Sequence, residues 1–285
     1  MNTLKNKQRT VLTVIGFYLI FYTVRYIEYF FIRTDSTLIG EAVLHKLMGI
    51  VLLIFFARHC ALSLSGIGFA DRKAMKNLAC GLGFGLGVFA LAYAVEIMML
   101  VLQGDFKAVQ FYVSSYAVDG NIGNRTGVIF FLICIAGNII NVLMEEGVFR
   151  GLFQKMLERQ YKFIFSAVIA SILFGVWHMI GPVRSFIDGA SSAEGMVANI
   201  LMLVVTSSLV GFKYALLTKL TGSLYMAMGD HFVNNTIVNI LHTVSQNGAD
   251  ELMVVRITIA QAVSFTAVLI VYMRKYSRDR GLKKR

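Results

Sequence analysis

The chain has 285 residues, of which 57% are hydrophobic and 15% are charged, and its formal net charge is +11. Soluble domains average about 45–50% apolar and about 25% charged residues, so this composition excludes an ordinary soluble enzyme or binding module. Apolar runs recur along the whole length, and they indicate a polytopic membrane protein.

Eight apolar segments are long enough to span a bilayer, because a helix needs roughly 20 residues to cross the hydrocarbon core. We therefore expect an all-α polytopic membrane protein of about eight transmembrane helices, forming a single integral membrane domain over residues 1–285. Only Lys219 to Thr221 separate the sixth span from the seventh. The predicted spans are 10–32, 38–58, 77–103, 127–150, 162–181, 196–218, 222–242 and 252–273.

The first span carries Arg25 and Glu28 and lacks a small-residue cleavage site, so we expect a retained helix and not a cleaved signal peptide. Basic residues precede this span, and the tail at 274–285 has seven basic residues against one acidic residue. With an even number of spans, the positive-inside rule predicts both termini in the cytoplasm, and we expect a bacterial cell membrane. We attribute the net charge to this bias and to anionic lipid, and we expect no nucleic-acid partner.

The common signatures of zinc proteases, serine hydrolases and nucleotide-binding enzymes are absent from the sequence. Three cysteines share no metal-ligand spacing, and we interpret them as small hydrophobic residues. Glycines at 81, 83, 85 and 87 lie inside the third predicted span, where they indicate close helix packing.

Ionisable residues inside predicted spans are candidates for function, but several have a simpler structural interpretation. Arg25 and Glu28 are three residues apart and are expected to pair with each other. Glu41 and His45 lie four apart on one helix face, and Glu96 is a candidate partner for any internal cation.

The stretch MEEGVFRG, at 144–151, places two carboxylates at the end of an apolar run. Glu146 and Arg150 have the i, i+4 spacing that favours a helical ion pair. Glu145 then points about 100° away from Glu146. A carboxylate without a partner in a poorly solvated site suits a general base. We therefore expect a structural role for Glu146 and a catalytic role for Glu145.

Two histidines lie inside later spans. His178 follows Phe174 by one helical turn, and His231 precedes Asn235 by one turn. A lone histidine in an apolar helix is more often a hydrogen-bonded core residue. A carboxylate, two imidazoles and an amide on three spans, however, together suit hydrolysis, in which they activate water and bind an oxyanion.

These motifs together resemble the CPBP family, which contains CAAX-prenyl-protease-2-like and bacteriocin-processing intramembrane proteases and is also called Abi. The motifs are E-E-x-x-F-R-G at 145–151, F-x-x-x-H at 174–178 and H-x-x-x-N at 231–235. The resemblance covers about residues 127–240, which we expect to form the catalytic core.

The resemblance implies an intramembrane cavity that opens toward the cytosol. It implies that Glu145 is the general base, that His178 helps to activate water, and that His231 and Asn235 bind the carbonyl oxygen. Glu146 and Arg150 would fix the helix geometry, with Phe174 in support. The expected substrate is a membrane-associated, prenylated or peptide molecule.

We expect no metal cofactor, because the two histidines are already assigned and better-understood members of the family resemble glutamate proteases. The alternative is a zinc site with Glu145, His178 and His231 as ligands.

The predicted spans place Glu145 near the cytoplasmic end of span four and His178 some fifteen residues into span five. At about 1.5 Å per residue these positions differ in depth by roughly 22 Å. Either the span boundaries are wrong, or helix four continues beyond Arg150.

Two other functional classes remain open on the sequence. One is a scaffold or bacteriocin-immunity protein that keeps the motifs but acts by binding a partner. The other is an ion-coupled transporter, although matching halves with broken helices are absent.

Overall fold

Long apolar helices make up most of the computed structural model, which describes residues 2–37, 39–114 and 125–282. The start of the predicted second span, the middle of the 104–126 loop and the last three residues of the basic tail lie outside these ranges. The helices are α1 (Asn2–Ile27), α2 (Leu44–His59), α3 (Ala74–Gln103), α4 (Val128–Glu146), α5 (Gln154–Glu158), α6 (Phe163–Trp177), α7 (Ile180–Ile187), α8 (Ala193–Thr221), α9 (Tyr225–Ile240) and α10 (Met253–Leu282).

Six helical stretches within the described residues are long and apolar enough to cross a membrane. They are Lys5–Ser36, Ala74–Gln103, Val128–Glu158, Phe163–Ile187, Ala193–Thr221 and Met253–Tyr276. The predicted all-α polytopic membrane fold is confirmed, but the number of eight spans is not. The helices at the second and seventh predicted spans, α2 and α9, have 16 residues each. This length corresponds to about 24 Å, which is less than the roughly 30 Å of hydrocarbon core.

The boundary between the sixth and seventh predicted spans differs from the expectation. Helix α8 continues through Lys219 to Thr221 and ends at Gly222, whose φ is +76°. Glycine adopts this left-handed conformation at low cost. The helix therefore ends at the glycine and not at the polar residues before it.

Glycines allow α3 and α9 to approach closely. A Cβ at Gly81 would lie 2.2 Å from the backbone oxygen of Met226, and one at Gly229 would lie 2.5 Å from that of Leu78. Gly83 and Gly87 would meet nothing within 4 Å. The glycines on one face of α3 therefore have the predicted packing role. The close contact of α3 with α9 fixes the position of α9, which carries His231.

A two-stranded antiparallel sheet lies beside the helices and was not predicted. Strand β1 (Phe106–Phe111) pairs with β2 (Leu241–Ser245), with Phe111 opposite Leu241. The sequence predicts a loop for the first segment and a membrane span for the start of the second. The pairing joins segments more than 100 residues apart, so no local pattern reveals it.

Helix four continues beyond Arg150, as one of the two alternatives predicted. A π-helical segment, Gly147–Phe153, joins α4 to α5 in one helical stretch, Val128–Glu158. Glu145 therefore lies 13 residues, or about 20 Å, from the end of this stretch, and His178 lies 15 residues, or about 22 Å, from Phe163. The depth difference disappears, and the predicted end of this span at residue 150 is wrong.

Candidate active site

Glu146 is fully buried and accepts two hydrogen bonds through Oε1. Arg150 Nη1 donates at 3.1 Å and His231 Nδ1 at 2.8 Å. The ion pair expected from the i, i+4 spacing is thus present. Arg150 also donates from Nε to the carbonyl oxygen of Gly211 at 3.3 Å, and its guanidinium lies 4.1 Å from the centre of the Phe174 ring.

Glu145 is also buried, but it has hydrogen-bond partners, contrary to the prediction from the sequence. Trp177 Nε1 donates to Oε1 at 3.0 Å, and Asn141 Nδ2 donates to Oε2 at 3.2 Å. His231 Nε2 lies 3.5 Å from the same Oε2. A carboxylate offers about four acceptor positions, so Glu145 keeps the capacity to accept a hydrogen bond from water.

His231 lies between the two carboxylates. Its Nδ1 donates to Glu146, and its Nε2 faces Glu145. The ring stacks on Tyr214 with centroids 4.8 Å apart and an interplanar angle of 23°. Both ring nitrogens of His231 therefore face a carboxylate. The sequence assigned His231 only to the carbonyl oxygen and did not reveal these contacts.

His178 is the residue that follows α6. Its Nδ1 lies 2.8 Å from the carbonyl oxygen of Phe174 and donates to it, because a carbonyl only accepts. This contact leaves Nε2 as the nitrogen for water or substrate. Phe174 packs edge-on against the rings of both histidines, at 4.8 Å from His178 and 6.0 Å from His231. Its predicted supporting position is therefore at the centre of the site.

Asn235 lies one turn after His231 on α9, and residues at this spacing share a helix face. It is partly exposed, and its Oδ1 accepts from Asn234 Nδ2 at 3.0 Å. Within the described residues this is the one side-chain hydrogen bond that the structure gives Asn235.

Three residues that shape the site were not predicted from the sequence, namely Asn141, Trp177 and Tyr214. Asn141 precedes Glu145 by four residues, and this spacing was a usable signal for a shared helix face. Trp177 is the chain's single tryptophan and adjoins His178. It is held in turn by Arg25, whose Nη1 donates to the Trp177 carbonyl oxygen at 2.9 Å. Nothing local singled out Tyr214.

The other ionisable residues of the predicted spans form separate contacts. Arg25 and Glu28 were expected to pair with each other, but Glu28 instead contacts His45 Nδ1 at 2.5 Å and also binds Thr34. Glu41 precedes α2 and pairs with Lys46 at 2.9 Å. Glu96 pairs with Arg256 at 2.8 Å.

The arrangement does not present a three-ligand metal site. In the part of the chain that the structure describes, no three His, Cys, Asp or Glu side chains are grouped to hold a metal ion. Glu145, His178 and His231 therefore do not fit a zinc site in this conformation, and no step below involves a metal.

The part of the chain that contains the site matches a known protein family. Residues 127–237 match the family described as Rce1-like, type II CAAX prenyl endopeptidase. This segment contains every predicted site residue, from Glu145 to Asn235. The match confirms the similarity to the CAAX-protease, or CPBP, family that the motifs predicted. No curated protein matches the chain.

Proposed function

We propose that the chain is an intramembrane endopeptidase that hydrolyses a peptide bond with water activated by Glu145. The observation that carries this proposal is the position of the Glu145 carboxylate. It is buried about 20 Å from the end of its helical stretch, and an indole, an amide and an imidazole surround it. Such fixed donors orient a base before the substrate arrives.

The proposed reaction begins with a water molecule that loses a proton to Glu145, with His178 Nε2 as a second contact. The hydroxide attacks the carbonyl carbon, and the resulting oxyanion accepts hydrogen bonds from His231 and Asn235. When the intermediate collapses, Glu145 returns the proton to the leaving nitrogen. Glu146 accepts from Nδ1 of His231 and so holds the orientation of this ring toward the oxyanion, in addition to its ion pair with Arg150.

The proposed substrate is a membrane-associated protein or peptide. The family's description as a prenyl endopeptidase favours a prenylated substrate with a C-terminal CAAX sequence. We also propose a cavity that opens toward the cytosol, both termini in the cytoplasm, a bacterial membrane, and no metal cofactor.

The function is tested with purified protein in lipid nanodiscs and a fluorogenic farnesylated peptide that ends in a CAAX sequence. The same peptide without the farnesyl group is the comparison, and mass spectrometry identifies the bond that is cut. We expect cleavage of the farnesylated peptide. Cleavage of only the unprenylated peptide would support the endopeptidase activity but contradict a prenylated substrate.

The scaffold, immunity and transporter alternatives are separated by a membrane proteome, compared between cells with the wild-type protein and cells with Glu145→Gln. A protease leaves shortened substrates in the wild type and intact ones in the variant. Identical proteomes, together with no cleavage of either peptide, would favour a binding protein.

A further inference from the structure

Lys213 lies in α8 outside the contacts of the catalytic groups and is 1% exposed. Its ammonium contacts Asp230 Oδ2 at 2.7 Å, Gln261 Oε1 at 3.0 Å and Ser264 Oγ at 3.1 Å. An ammonium has N–H donors and no acceptor, so Lys213 donates hydrogen bonds to Gln261 and Ser264 and forms an ion pair with Asp230. A charge this deeply buried and fully paired holds its neighbours in one orientation.

A line of amides leads from this lysine to the site. Gln261 Nε2 donates to Asn234 Oδ1 at 2.6 Å, and Asn234 Nδ2 donates to Asn235 Oδ1 at 3.0 Å. Each amide has one oxygen that accepts and one nitrogen that donates. The orientation of one amide therefore decides the orientation of the next.

Because the ammonium of Lys213 only donates hydrogen bonds, it determines the orientation of every amide in this line. Gln261 must present its oxygen to the ammonium and its nitrogen to Asn234. Asn234 must then present its oxygen to Gln261 and its nitrogen to Asn235. Asn235 consequently turns its oxygen toward Asn234, and its Nδ2 group remains for another acceptor.

We propose that Lys213, Gln261 and Asn234 form an amide relay that fixes Asn235 as a hydrogen-bond donor to the substrate's carbonyl oxygen. This proposal rests on the proposed function and adds positioning residues to it. Gln261 lies on α10, outside the segment 127–237 that matches the protease family. The C-terminal helix thus contributes to the orientation of the site.

Gln261→Glu tests the relay, because it reverses the direction of the amides with little change in shape. A carboxylate still accepts from Lys213, but it also accepts from Asn234, which then turns its oxygen to Asn235. Asn235 turns its nitrogen to Asn234 and presents an oxygen to the oxyanion. Loss of one oxyanion donor typically costs about 10²–10³ in rate, so kcat on the farnesylated peptide should fall roughly 10²-fold with little change in KM.

A double-mutant cycle separates this effect from a structural one. In an Asn235→Ala background no amide remains to be oriented, so Gln261→Glu should lower kcat no further. A merely structural role would give the same loss in both backgrounds. Ser264→Ala is the matched control, since it removes a partner of the same ammonium without reversing an amide, and it should keep kcat within about twofold of the wild type.

Asn234→Asp is the second variant, and it is used if Gln261→Glu does not fold. Its carboxylate cannot donate, so Asn235 must turn its nitrogen toward it, and the same loss of kcat is expected. The relay is overturned if a folded variant keeps the wild-type kcat, or if the variant loses the same factor in kcat with and without Asn235. In both cases Glu145→Gln should still abolish turnover, so the proposed function would stand. If the wild-type protein cleaves neither peptide, the proposed function fails, and the relay fails with it.

Discussion

At the scale of single residues, the glutamate doublet combines one ion-paired acid with one acid that is surrounded by neutral and imidazole donors. Glu146 binds Arg150 and His231. Glu145 receives an indole and an amide. Two adjacent carboxylates thus have different surroundings, which is the usual way for a site to give them different tasks.

The first prediction concerns stability. Glu146→Gln and Arg150→Ala each leave a buried group without its charged partner, a loss that typically costs about 3–5 kcal/mol. We expect both variants to unfold at clearly lower temperature than the wild type, whereas Glu145→Gln should stay close to it. Thermal unfolding in detergent measures this difference. Equal stability of all three variants would contradict the assignment of Glu146 and Arg150 as the structural pair.

The second prediction concerns the oxyanion. His231→Ala and Asn235→Ala should each lower turnover about 10²–10³-fold while KM changes little, because the donated hydrogen bonds strengthen in the transition state. The zinc alternative instead predicts inhibition by chelators and near-stoichiometric zinc that is lost in His178→Ala. Elemental analysis of active protein decides between them. About one zinc per chain, with activity that follows it, would make Glu145 and both histidines ligands.

The sequence contained the signals for the seven motif residues, because their spacing is local: Glu145 adjoins Glu146, and one turn of helix separates each of the three pairs formed by the other six. It could not reveal Trp177 as a donor to Glu145, since that contact depends on how α6 packs against α4. The position of Tyr214 likewise depends on tertiary packing. Of the three residues that were not predicted, only Asn141 had a local signal in the sequence.

At the scale of the elements, the site depends on how closely the helices pack. Helix α9 carries His231 and Asn235, and its approach to α3 depends on Gly81 and Gly229. Continuation of α4 through the π-helical segment brings the glutamates to the depth of His178. Local patterns predicted that these helices exist. The continuation and the β1–β2 pairing depend on distant parts of the chain, and the sequence alone did not define them.

The third prediction tests the α3–α9 contact. Gly81→Ala would place a methyl group against the backbone of α9, and such overpacking typically costs about 1–3 kcal/mol. The matched control is Gly83→Ala, which meets nothing within 4 Å and should be neutral or slightly stabilising. We expect Gly81→Ala, but not Gly83→Ala, to lower the unfolding temperature and the activity. Similar behaviour of the two variants would show that the contact does not govern the position of α9.

At the scale of the whole molecule, a buried polar network joins β2 to α10 and α3. His242 Nδ1 contacts Asp250 at 2.5 Å, Arg256 Nη2 donates to Asp250 at 3.0 Å, and Arg256 Nη1 donates to Glu96 at 2.8 Å. Burial opposes the ionisation of Asp250, but the hydrogen bond from His242 and the charge of Arg256 outweigh it and lower the pKa of this carboxyl group.

The fourth prediction follows from the sign of this shift. A carboxyl group whose pKa is lower in the folded state stabilises the fold above its unfolded pKa, near 3.9, and loses this contribution as the pH falls through the folded pKa. The wild-type protein should therefore lose stability in acid more steeply than Asp250→Asn. Unfolding temperatures between about pH 6 and pH 2 measure this, with exposed Glu194→Gln as the control. Parallel curves for the wild type and Asp250→Asn would contradict the assignment.

The central claim is that Glu145 activates the attacking water, and one measurement tests it most directly. The kcat of purified wild-type protein is compared with that of Glu145→Gln on the farnesylated peptide, with Glu158→Gln as the control carboxylate on the same helical stretch. Glutamine keeps the shape of the side chain but cannot accept the proton. We expect no detectable turnover by folded Glu145→Gln and near-normal turnover by Glu158→Gln. A Glu145→Gln variant that retains most of the wild-type kcat would contradict it.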